Sequence, residues 1–224
     1  QNFNEAVTEI CIAIKAYPNN PDFYYYKGFF LEDVPDYTNA VSAYTKSLEI
    51  DSSQFWVHFR LGVCLQCLKR FNEALVSFTK SFEGFLEISD PLVNYDLKKE
   101  QIYNNRAVTY ANLNKSQECI TDCSESIRIN PKYSNPYIIR GMEFYKLNKM
   151  SEAKSDIKTA VGLGSEKAKS ILEKYFPSIE VDIYDKIKAY ADSEKTVSQN
   201  NGHKPRDFYR NDIIAYLQNN RLNQ

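Results

Sequence analysis

Cys64 and Cys67 stand three positions apart, the spacing of half a zinc site or of a redox pair. A zinc site of that kind needs a second ligand pair and a loop that brings four donors together, whereas both cysteines fall inside a stretch with helical periodicity. Cys119 and Cys123 fall on small positions of another helical stretch. All four read as packing residues, because reduced cysteine behaves as a small hydrophobe. The histidines, His58 and His203, have no serine, cysteine or carboxylate constellation that would make a triad or a metal site. Gly162-Leu163-Gly164 has neither the preceding strand nor the following lysine–serine pair of a phosphate loop. No catalytic residue, metal ligand or cofactor is assigned, and the chain reads as a non-enzyme.

The elements that hold these residues are helices. In the stretch from Gln101 to Pro131, Tyr103, Ala107 and Tyr110 lie at i, i+4 and i+7, which places one small and two large side chains on a single face. Cys119, Cys123 and Ser126 repeat that spacing after a short polar turn, so a small-residue stripe faces the first helix and permits close approach. Asn130-Pro131 ends the pair, since proline lacks an N–H and disfavours helical geometry in the residue before it.

The pattern recurs along the chain. Tyr137, Gly141 and Phe144 are followed by Ala153, Ile157 and Ala160. His58, Gly62 and Leu65 are followed by Ala74, Phe78 and Ser81, and before them Tyr24, Gly28 and Leu31 by Ala40, Tyr44 and Ser47. This order resembles the tetratricopeptide repeat, a helix–turn–helix unit of about 34 residues. The resemblance implies an all-α, right-handed superhelical solenoid of antiparallel helix pairs. Full repeats are expected at 21–54, 55–88, 100–133 and 134–167, a half repeat made of a second helix alone at 1–20, and a capping helix at 166–176. The half repeat, with Ala6, Ile10 and Ala13 on its face, predicts a chain drawn from a longer protein. Between the second and third repeats, the insertion 89–99 reads as a new helix start or a spacer. A C-terminal helical extension over 177–224 follows, with an apolar stripe at Ile179, Ile183, Ile187 and Tyr190, a polar loop at 193–207 and a last helix from about Phe208.

Composition narrows the partner. A formal net charge of −1 and the lack of a lysine–arginine cluster give no electrostatic case for nucleic acid. No apolar run spans a bilayer and no signal peptide opens the sequence, so no membrane insertion is expected and a soluble, cytoplasmic location is the default. Five cysteines, an odd number, fit a reducing compartment.

In the family, the first helices line a concave groove where partners bind. Carried onto this sequence, the groove positions are Tyr25, Tyr26 and Phe29, then Trp56, Phe59, Arg60 and Val63, then Gln101, Asn104, Asn105 and Val108, then Asn135, Ile138, Ile139 and Met142. The ends are aromatic or aliphatic and the middle is rich in amides. This composition suits an apolar peptide or amphipathic helix, with Asn104, Asn105 and Arg60 orienting it. Family co-chaperones hold acidic chaperone tails with a clamp of lysines, asparagines and an arginine. Asn105 matches the central asparagine, but Phe59, Val63, Asn135 and Ile139 replace the charged or amide positions, so clamp binding is rejected. Arg60 and Arg140 remain as candidates for another anionic contact. The reading is a protein–protein interaction scaffold or adaptor within a larger assembly. The alternatives are a regulatory or targeting segment of an enzyme whose catalytic domain lies outside this chain, and a module whose groove is filled by its own C-terminal helices.

Overall fold

The computed structural model describes residues 3–87 and 97–177, and the regular structure of the described residues is entirely helical. Most of the 89–99 insertion, the 193–207 loop and the helices expected beyond residue 177 lie outside the described residues. The helices are α1 (Phe3–Ala16), α2 (Pro21–Asp33), α3 (Tyr37–Ile50), α4 (Phe55–Cys67), α5 (Phe71–Glu87), α6 (Lys99–Asn112), α7 (Ser116–Ile129), α8 (Ser134–Lys146), α9 (Met150–Gly162) and α10 (Glu166–Tyr175). Contacts divide the chain into two units, Gln1–Ser165 with α1 to α9 and Glu166–Gln224 opening with α10.

Within the first unit, α2 packs on α3, α4 on α5, α6 on α7 and α8 on α9, and each second helix packs in turn on the next first helix. The first helices also touch one another, α2 with α4, α4 with α6 and α6 with α8, more closely than successive second helices do among the described residues. The first helices therefore occupy the inner side of this stack.

Each pair starts and stops for local reasons. Asn20 caps α2 by accepting from the Asp22 backbone N–H at 2.9 Å, with Pro21 pre-set for the first helical turn. Asp36 caps α3 through the Asn39 backbone N–H at 3.2 Å. At the end of α4, the Arg70 N–H bonds the Leu65 carbonyl at 2.8 Å and the Lys69 N–H bonds Gln66 at 2.9 Å, a Schellman turn. The same two bonds recur as Lys115 to Tyr110 with Asn114 to Ala111, and as Lys149 to Phe144 with Asn148 to Tyr145. Each turn needs one left-handed residue, and the φ values are 59° at Lys69, 57° at Asn114 and 58° at Asn148. Asparagine tolerates this region and lysine does so at a cost. Lys69→Gly is therefore expected to raise stability by about 0.5–1 kcal/mol, read as a higher urea midpoint with an unchanged slope.

The core repeats with the turns. Gly28 faces Tyr44, Gly62 faces Phe78 and Gly141 faces Ile157, with the large partner fully buried in each case. In the third repeat the small position is Ala107 and the facing residue is Cys123, so volume is exchanged across the helix pair. Ser47 and Ser126, at one repeat position, donate across the pair to the Pro21 and Glu100 carbonyls at 2.8 and 2.9 Å. Helix α5 runs 17 residues because Gly84 lets it pass close to Phe55, where an added Cβ would lie 2.7 Å from the Phe55 Cβ. In α1, by contrast, Ala6, Ile10 and Ala13 are only half-buried, whereas the matching Ala40, Tyr44 and Ser47 are 0% exposed. Among the described residues, α1 has no first helix against that face.

Candidate functional site

The groove positions read from the sequence all lie on α2, α4, α6 and α8. The α2 wall is aromatic. Tyr25 and Tyr26 meet edge-on with centroids 5.2 Å apart, Tyr25 and Phe29 are 6.3 Å apart, and Tyr26 keeps 48% of its surface exposed. Tyr25 reaches back to Tyr44 at 6.0 Å, and burial raises its phenol above the usual tyrosine range. Trp56 on α4 is half-buried against the core formed by Leu31, Tyr44 and Val57. Phe59 and Val63 pack on the Leu65–Ala74–Phe78 cluster, Phe59 meeting the Phe78 ring at 5.7 Å. On α8, Ile139 leans on Ala107, Cys119 and Cys123. Val108 and Met142 are half-buried.

The polar positions differ from expectation. Asn104 is 3% exposed and its side-chain oxygen accepts from Asn135 Nδ2 at 3.1 Å, joining α6 to α8. Ile138 is 4% exposed. Both leave the open surface, Asn104 where α8 meets α6. Asn105 donates its side-chain amide to the Gln101 carbonyl at 2.9 Å, and its own carbonyl accepts from Gln66 Nε2 at 2.8 Å. Gln66 also bonds the Thr109 hydroxyl at 2.7 Å, so α4 is joined to α6 in the same way. Gln54 Nε2, bonded to Asp22 at 3.2 Å, links the start of α4 to α2. Of the amide-rich middle, Asn104 joins two repeats, while the Asn105 and Gln101 side chains bond within their own helix or its cap.

The arginines are likewise engaged. Arg60 donates to Glu32 Oε2 at 3.3 Å and its guanidinium lies 5.0 Å from the Phe29 centroid. Glu32 also accepts from the Tyr44 hydroxyl, and burial together with the Glu32 charge pushes that phenol well above its usual range. Arg140 grips Asp156 with two bonds of 2.7 and 2.8 Å and donates to the Ser124 hydroxyl at 2.9 Å. The expected anionic contact at Arg60 and Arg140 is therefore met from inside the protein. Sequence reading missed the pairing of Arg106 with Asp122, at 2.7 and 2.9 Å. The signal was present in the recurrence of Arg106 and Asp122 as Arg140 and Asp156, each pair sixteen apart and at matching repeat positions.

The cysteines divide. Cys64, Cys119 and Cys123 are buried as expected, and burial raises the Cys64 thiol far above its ordinary range. Cys67 is exposed, which corrects its assignment to packing: it is the last residue of α4, at the open end of the helix. No group of three or more metal-ligating side chains occurs among the described residues. Burial, aided by the Lys80 charge, pulls His58 down to about 4, so near neutrality it is an uncharged packing ring. No helix among the described residues is long and apolar enough to cross a membrane.

A family model described as tetratricopeptide repeat matches residues 100–133. The chain is 37% identical over 87 residues to the Saccharomyces cerevisiae Hsp70/Hsp90 co-chaperone CNS1, covering 39% of this chain and 21% of that protein. It is 27% identical over 152 residues to a Dictyostelium discoideum DnaJ homolog subfamily C member 7 homolog, covering 66% of this chain and 28% of that protein. The chain thus spans about a fifth to a quarter of the length of these relatives. The crystal structure of MamA superimposes with a TM-score of 0.66 at 18% identity, over 75% of this chain and 92% of that one, a likeness of fold.

Proposed function

Because this chain is a tetratricopeptide repeat protein, we propose that it acts as a protein-interaction adaptor, taking an apolar peptide or one face of an amphipathic helix against the inner sides of α2, α4, α6 and α8. The observation that carries this reading is the half-exposed apolar wall, with Tyr26 48% exposed at one end and Val108 and Met142 partly open farther along. Large apolar side chains left open on a concave surface fit a partner that covers them. The similarity to a protein named as a co-chaperone supports an adaptor in an assembly of that kind. It does not extend to binding an acidic tail, because Phe59, Val63, Asn135 and Ile139 stand at the clamp positions.

Tyr26, Val108 and Met142 can be changed without touching a fully buried side chain. Short randomised peptides are selected on the wild-type chain, and the selected peptides are titrated against Tyr26→Ala/Val108→Ala/Met142→Ala and against Val76→Ala, which alters an exposed side chain of α5. The groove reading expects affinity to fall roughly tenfold or more in the triple variant at unchanged helicity, and to be unaffected by Val76→Ala. Equal affinities for the wild type and the triple variant overturn it.

A further inference from the structure

Helix α2 carries an unusual line of side chains. Asp22, Tyr26, Phe29 and Asp33 follow one another at i, i+4, i+7 and i+11, which on a helix of 3.6 residues per turn places them within a narrow stripe about 16 Å long. Asp22 and Asp33 are exposed at its two ends, and Tyr26 is open between them. Asp33 has no ion-pair partner among the described residues, and Asp22 accepts only the neutral amide of Gln54 at 3.2 Å.

Asp33 also sits where its charge is unfavourable. The last turn of α2 contains Glu32 and Asp33 and no basic residue, and carboxylates at a helix C-terminus oppose the helix dipole. Glu32 is compensated by Tyr44 and Arg60. Asp33 is not, so it costs stability without an internal return. Meanwhile, Arg60, Arg106 and Arg140 each face an internal carboxylate. The first repeat therefore offers an incoming segment aromatic faces with uncompensated negative charge. The same neighbourhood shows how a cation would be held, since Arg60 lies on Phe29 while bonded to Glu32.

We propose that the α2 stripe selects the partner's charge: the segment taken by the groove carries a lysine or arginine beside its apolar anchor, with the cation over Tyr26, beside Asp22 and in the field of Asp33. This rests on the groove reading above and adds a sign to it. The test uses short randomised peptides selected on the full chain at low salt, followed by matched synthetic peptides in which each basic residue is replaced by glutamate. The expected result is enrichment of lysine and arginine next to apolar anchors. Basic forms should bind roughly three- to tenfold tighter than their glutamate twins, with the gap closing at high salt. Asp33→Asn should shrink the gap, leave apolar binding in place and raise Tm by about 1–3 °C, whereas a merely structural Asp33 would lose stability. Peptides that bind through Tyr26 but show no preference, or prefer glutamate, overturn the charge assignment and leave the groove standing. Failure to select any peptide that depends on Tyr26 overturns both.

Discussion

Asp122→Ala is expected to lower the unfolding free energy by about 2–4 kcal/mol. Asp122 receives both bonds of the Arg106 guanidinium, at 2.7 and 2.9 Å, and the two side chains retain only 6% and 14% of their exposure. Burial disfavours the charged guanidinium, yet the bonds and charge of Asp122 more than offset it and hold Arg106 above its usual range. Removing the carboxylate leaves that cation between the rings of Phe82, 4.9 Å away, and Tyr103, 5.6 Å away, with no anion. The ring faces and the residual exposure keep the loss below that of a fully dry orphan charge. Asp156→Ala should cost less, because Arg140 and Asp156 retain 20% and 10% exposure and the Ser124 hydroxyl remains bonded to Arg140 at 2.9 Å. Replacing both partners, as in Arg106→Met/Asp122→Leu, should cost far less than Asp122→Ala alone, since no charge is then stranded. Urea unfolding followed by helicity, with hydrogen exchange resolved by helix, checks the order, because repeat arrays need not unfold as one unit. Equal stability of wild type and Asp122→Ala would mean that the pair is solvated in solution.

That pair also marks where the sequence was legible. Repeat phase was readable because one face of each helix obeys a single demand: the small residue at Gly28, Gly62, Ala107 or Gly141 must meet whatever faces it, and the same period separates Gly28 from Gly62 before the insertion and Ala107 from Gly141 after it. Burial of Cys119 and Cys123 followed from the same face, whereas Cys64 packs against the preceding pair with Leu31, Ala40 and Tyr44. The inner surface was legible only as a set of positions. Phase says that Asn104 and Ile138 point inward, but it does not say that they are covered there, at 3% and 4% exposure, Asn104 by its contact with Asn135 of α8. Arg60 looked free for a ligand because its partner Glu32 belongs to another helix, 28 positions away in sequence. Side chains that satisfy one another across repeats obey no short spacing rule. Asn104 and Arg60 are therefore engaged inside the protein, and the apolar Ile138 is buried as well.

Gly62→Ala is expected to lose about 1–2 kcal/mol, although alanine is the better helix former by about 1 kcal/mol. A Cβ on Gly62 would lie 2.7 Å from Phe78 Cε1 and 2.9 Å from Cδ1 and Cζ. The ring cannot easily yield, being 0% exposed and held edge-on by Phe59 at 5.7 Å. Helix α5 must then move off α4, and overpacking outweighs the gain in propensity. Gly141→Ala meets Ile157 Cδ1 at 3.0 Å and the Ala153 carbonyl oxygen at 3.2 Å, longer contacts than those at Gly62, and should come out closer to neutral than Gly62→Ala. Gly84→Ala should be the worst of the three, because it meets the Phe55 Cβ at 2.7 Å, an atom that moves only with the backbone of α4. Urea midpoints for the three variants test the ranking directly. The third repeat already shows the other solution, Ala107 facing Cys123, in which the extra methyl is matched by a smaller neighbour. If Gly62→Ala proves as harmless as Gly141→Ala, the α4–α5 distance is not set by this contact. The small position would then owe nothing to the close approach of α4 and α5.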